Sequence, residues 1–165
     1  MTRLLISLLA CSTLLGCESD TPEVRGIFSS RISHHIFDGY RLSIHSRVKF
    51  SDDQFMEIRS YRIKHNDGTS HTDQDIGVMT LAGELTRQSG QLTVALNQVK
   101  MEMDADLYRR FVSQPRPELA MVDVPALVRR GKLQFEVLQY DQDTVCLDRI
   151  GGHPQCYLLS QVVNR

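Results

Sequence analysis

Tyr40-Arg41-Leu42-Ser43-Ile44-His45-Ser46-Arg47-Val48-Lys49-Phe50 decides the fold. Tyr40, Leu42, Ile44, Val48 and Phe50 alternate with Arg41, Ser43, His45, Arg47 and Lys49. A repeat of two belongs to extended chain, whose side chains point by turns to opposite faces. The segment therefore reads as a half-buried antiparallel strand with an apolar inner face and a cationic outer one.

Downstream, Ser51-Asp52-Asp53-Gln54 is a polar turn leading into Phe55 to Ile63. There Met56 and Ile58 share one parity, whereas Tyr61 and Ile63 share the other, and a bulge near Ser60 would reconcile them. His65-Asn66-Asp67-Gly68 carries an Asn-Asp-Gly hairpin signal, with a loop extending toward Asp73. In Asp75 to Thr86 one face holds Met79, Leu81 and Leu85 together with Gly77 and Gly83; glycine on an inward face implies bending or close approach of another backbone. Ser89-Gly90 turns the chain. Gln91 to Met103 changes parity from Leu92, Val94 and Leu96 to Val99, Met101 and Met103, which places one bulge near Asn97.

Asp104 to Val112 switches to helical spacing, with Asp104 as cap and Pro115 and Pro117 beyond it. Val124 to Gly131 is a second helical piece, with Pro125 near its start and Gly131 past its end. Lys132 to Tyr140, Thr144 to Ile150 and Cys156 to Val163 read as a three-strand meander, and Val24 to Ile32 as a first strand.

About eight short-linked strands, with one helical insertion between the fifth and sixth, predict an all-β domain: an up-and-down barrel, or alternatively a two-sheet β-sandwich. The layout resembles that of lipocalin-like barrels. The match is one of architecture, since the chain has no GxW signature and no tryptophan. A barrel that spans a membrane is disfavoured, because lipid would not accept the charged outer face of Tyr40–Phe50. Met79, Leu81, Gly83, Met101 and Met103 are the candidate ligand-lining positions, with Met56 a further methionine able to line an adaptable apolar cavity.

The N-terminus carries an address. Arg3 precedes an apolar run, Leu4 to Leu15, too short to span a bilayer and of the length of a signal-peptide core. Leu14-Leu15-Gly16-Cys17 resembles the lipobox of bacterial lipoproteins. That resemblance implies cleavage after Gly16 and acylation of Cys17, with several chains because one acyl chain anchors only marginally. Glu18 at the next position points to the outer membrane, with the domain facing the periplasm. The expected organisation is a signal peptide at 1–16, a tether at 17–23 and one β-rich domain at 24–165. The expected localisation is the cell envelope, with the membrane as partner through the lipid.

With Cys17 acylated, Cys146 and Cys156 remain as a pair in an oxidising compartment. They flank Gly151-Gly152-His153-Pro154, a turn that would bring them together, and a disulfide across the hairpin is expected. A zinc or redox pair is the rival, against which the wide spacing argues.

The 19 basic and 20 acidic residues give a net charge of -1, without the basic excess of a nucleic-acid binder. No phosphate-cradling glycine loop and no GxSxG elbow occurs. Asp73 and Asp75 form a carboxylate pair without a partner base. His65 and His71, with Asp67 or Asp73, are the best-placed metal-ligating residues and read as solvated turn residues, while adjacent His34 and His35 point apart in a strand and cannot easily face one ion. No catalytic, metal or cofactor site is expected. Two functions follow: a non-catalytic binding module for a small apolar ligand such as a lipid, or an adaptor docking an envelope protein through loops such as Ser113–Pro125.

Overall fold

Phe50 and Phe55 stand directly opposite each other across the Ser51–Asp53 turn, which closes with a Ser51 N–H to Gln54 carbonyl bond of 2.9 Å. Paired residues on antiparallel strands face the same side, so this one pair sets the facing of everything that follows. The computed structural model of the chain describes residues 23–37, 40–65, 73–106, 124–150 and 154–161. Eight strands form in chain order: β1 Gly26–Phe37, β2 Tyr40–Phe50, β3 Gln54–His65, β4 Asp73–Gln88, β5 Gln91–Met103, β6 Lys132–Tyr140, β7 Thr144–Arg149 and β8 Pro154–Gln161. Each is antiparallel to its neighbour, and β8 returns to β1 through Leu159 opposite Phe28. The result is a closed, up-and-down, lipocalin-like barrel. All eight strands and the closure lie within residues 26–161.

The alternation in β2 is realised. Leu42, Val48 and Phe50 are buried, while Arg41, His45, Arg47 and Lys49 are exposed on the outer wall. The bulge near Asn97 is also present: Ala82 pairs with Gln98 and Gly83 with Leu96, leaving Asn97 unmatched. Gly83 sits at that irregularity because an added Cβ would lie 2.1 Å from the Ala95 carbonyl oxygen.

The bulge placed near Ser60 is not there. β2 and β3 pair without interruption from Phe50–Phe55 to Tyr40–His65, and the irregularity falls on β4, between the partners of Tyr61 and Arg62. Met56 and Ile58 consequently face outward, at 42% and 37% exposure. Met56 therefore does not line the interior.

A short helix, α1 (Val124–Arg130), precedes β6. It ends in Gly131 at φ 63°, whose N–H bonds the Leu127 carbonyl at 2.9 Å; this is the left-handed C-terminal cap for which glycine is favoured. Asp104 accepts a bond from the Asp106 N–H, as a cap for the helical residues Ala105 and Asp106. The rest of the helix expected up to Val112 lies outside the described residues. Leu127 tucks α1 against the core.

The barrel is filled at one end. Phe28, Phe50, Phe55 and Phe135 pack in a chain of ring contacts, centroids 5.5–6.1 Å apart, joined by Val24, Leu92 and Val94. Arg87 seals this end by donating to the carbonyls of Val24, Ser51 and Asp52, and the Leu85 N–H bonds the Asp53 carbonyl at 2.7 Å.

Candidate functional site

The uninterrupted β2–β3 register carries two charged side chains into the barrel. Phe55, Glu57, Arg59, Tyr61 and Ile63 share the inward parity, opposite Phe50, Val48, Ser46, Ile44 and Leu42. Glu57 and Tyr61 are each 1% exposed, and Arg59 is partly buried, its side chain 15% exposed. Arg59 Nε donates to Glu57 Oε1 at 2.5 Å, a charge-assisted bond between neighbours two apart on one strand face. From the far wall, Tyr157 on β8 is buried and shares the inward parity of Gln155, which donates to Ser30 across the β1–β8 seam. Arg149 on β7 follows Val145 and Leu147 on the inward face. The barrel thus brings Glu57, Arg59, Tyr61, Arg149 and Tyr157 into one electrostatically interacting group.

Each member is shifted by a nameable cause. Burial, the largest influence, would lower the pKa of Arg59, but the Glu57 carboxylate together with Tyr157 and Tyr61 more than offsets it and the guanidinium is held above its usual value. Burial pushes the Tyr61 phenol up to about 12, with Arg59 partly opposing. Tyr157 is raised by burial and then by the Glu57 charge. Arg149 is lowered, first by burial and then by the like charge of Arg59. Its Nη2 is buried and, among the described residues, finds no hydrogen-bond partner.

The surroundings of this cluster are asymmetric. On one side lies the aromatic floor. On the other, inward-facing Ile44, Val99, Met101 and Met103 are only partly buried. β6 begins opposite Ala95, so among the described residues the far part of β5, Val99 to Met103, pairs only with β4.

Of the five positions read as ligand-lining, Met79 and Leu81 are fully buried, Gly83 faces inward against the β5 backbone, and Met101 and Met103 face inward and are only partly buried. Cys146 and Cys156 pair directly between β7 and β8 and form a disulfide on the outer wall. Asp75 is engaged by Arg62, also on the outside, at 2.5 Å. Cys17, Asp67 and His71 lie outside the described residues, as do the side chains of His34, His35, His65 and Asp73. Among the described residues, no group of three or more His, Cys, Asp or Glu side chains is placed to hold a metal.

A hollow of about 540 Å³ lies on the outer wall across β3–β5. Its charged lining residues Lys49, Asp53 and Glu84 are all exposed, so it lacks the desolvated polar groups that give a site specificity.

The Glu57–Arg59 pair escaped the sequence reading because hydropathy placed Met56 and Ile58 inside. The signal was present in the hairpin: once Phe50 is inward and its turn pairs it with Phe55, every second residue of β3 must follow it in. Compared with known proteins, the chain matches no family model and no curated protein.

Proposed function

We propose that this chain is a lipid-tethered envelope protein whose barrel is a non-catalytic binding cup for one small, largely apolar molecule such as a lipid or its fragment. The observation that carries the reading is the uneven filling of the interior. Phe28, Phe50 and Phe55 are buried, whereas Ile44, Val99, Met101 and Met103 face inward and are only partly buried, with Leu42 and Ile63 buried beyond Ile44. Apolar walls around a few convergent polar groups are the usual make-up of a small-molecule site. The methionines suit an occupant of irregular shape, being unbranched and polarizable.

The tether belongs to the same proposal. The Leu14-Leu15-Gly16-Cys17 box supports acylation at Cys17, and Glu18 supports residence at the outer membrane facing the periplasm. The cationic outer wall of β2 supports a barrel that lies outside the hydrocarbon, since arginine and lysine facing lipid are destabilising. The adaptor alternative rests on Ser113–Pro125, most of which lies outside the described residues.

Two measurements test the reading. Residues 18–165, purified and extracted with organic solvent, should release a bound apolar molecule and should enhance the emission of a fluorescent fatty acid at a stoichiometry of one. No extracted molecule and no change in emission would end the binding proposal. In cells, an alkynyl palmitate should label the full chain and not its Cys17→Ala variant; an unlabelled, freely released wild-type chain would end the tether.

A further inference from the structure

We propose that Arg149 receives the carboxylate head of the ligand, with the Tyr61 and Tyr157 hydroxyls beside it, so that a fatty-acid-like molecule enters head first. This inference rests on the binding-cup reading and adds the chemistry of the occupant. Among the described side chains, the charged groups turned inward above the aromatic floor are Glu57, Arg59 and Arg149. Glu57 is spent on Arg59 through the 2.5 Å bond, which leaves a surplus of one positive charge.

That surplus sits on a guanidinium whose Nη2 is buried without a partner among the described residues. An unsatisfied buried donor is destabilising, more so when charged. A fold keeps such a group at little disadvantage only if something else supplies the acceptor. The neighbouring inward groups are also donors: Tyr61 and Tyr157 are buried phenols whose ionisation burial opposes, so they offer O–H bonds at neutral pH. A site rich in donors, with its own carboxylate engaged, is complementary to an acceptor that brings negative charge.

A carboxylate fits best. Its two oxygens match the planar fork of a guanidinium, and its single charge equals the surplus. A phosphate monoester would bring more charge than the site neutralises. The tail direction follows from the walls. Toward the floor, Phe28, Phe50 and Leu92 are fully buried; on the other side, the partly buried Ile44, Met101 and Met103 provide an apolar lining.

The test compares three ligands of one chain length, dodecanoate, dodecanol and dodecyl phosphate, by calorimetry on residues 18–165 and on Arg149→Gln and Arg149→Lys variants. Dodecanoate should bind about 10–100-fold more tightly than dodecanol, the scale of a charge-assisted bond in a desolvated site. Arg149→Gln should remove that preference, and Arg149→Lys should restore part of it. Equal affinity for acid and alcohol, or an Arg149→Gln variant that keeps the preference, overturns the assignment while the cup stands. Tighter binding of dodecyl phosphate overturns the choice of carboxylate. Binding of none of the three removes the cup, and this inference with it.

Discussion

Glu57 gives up its hydration inside the barrel, and Arg59 replaces it from two residues away on the same strand. Such a pair adds little net stability, but losing one partner leaves the other charge buried alone. Glu57→Gln is therefore expected to cost about 3–5 kcal/mol in urea unfolding. Arg149→Met should behave oppositely, with an unfolding midpoint equal to or above that of the parent, because it removes a buried cation that has no partner for its Nη2 among the described residues. A residue whose removal stabilises is one retained for a reason other than folding. The tyrosines add a pH signature. Tyr61 is raised to about 12 in the folded protein, whereas an unfolded tyrosine ionises near 10. The folded state thus holds its proton longer, and the stabilisation is complete below about pH 10 and lost as pH rises through about 12. The expected loss is about 1.4 kcal/mol per pH unit across that window. Urea midpoints measured from pH 9 to 12 should show it, and Tyr61→Phe should flatten the slope.

Among the elements, the β7–β8 hairpin has its own fastening. Cys146 and Cys156 are opposite residues on neighbouring strands, ten apart in sequence. Closing so short a loop in the unfolded chain is worth about 2–3 kcal/mol. The Cys146→Ser/Cys156→Ser double variant should fold and should melt roughly 5–10 °C lower in a calorimetric scan. This fastening was legible from spacing and the intervening Gly-Gly turn. The β6–β7 turn is held locally too, by Asp141 accepting from the N–H groups of Asp143 and Thr144. By contrast β3 was misjudged. Its apolar residues fall on both parities, so hydropathy within the strand had no unique solution, and the ladder with β2 chose the parity that buries Phe55, Tyr61 and Ile63 at the expense of Met56 and Ile58.

At the scale of the molecule, a filled half and a partly buried half share one continuous sheet. Packing of Phe28, Phe50, Phe55, Leu92 and Val94 concentrates burial at the sealed end, and Arg87 ties three backbone carbonyls there. Hydrogen exchange should follow this division. Amides of Val48, Phe50, Phe55 and Val94 are expected to exchange only through global unfolding, and those of Val99 to Met103 through local opening well before it. Uniform protection along β5 would contradict the uneven filling on which the binding cup depends.

The sequence by itself determined eight strands, the Ser51–Gln54 and Ser89–Gly90 turns, the helix before β6, the bulge at Asn97 and the cysteine pairing, because each depends on neighbours within one strand or one hairpin. Short connections and an even number of strands favoured a barrel over a sandwich, but alternation is the same in both, and the pairing of β8 with β1 decides it. The sequence left the interior charge cluster unseen. Glu57 and Arg59 come from β3, Arg149 from β7 and Tyr157 from β8, and residues so far apart along the chain meet only when the sheet closes and places opposite walls within electrostatic reach.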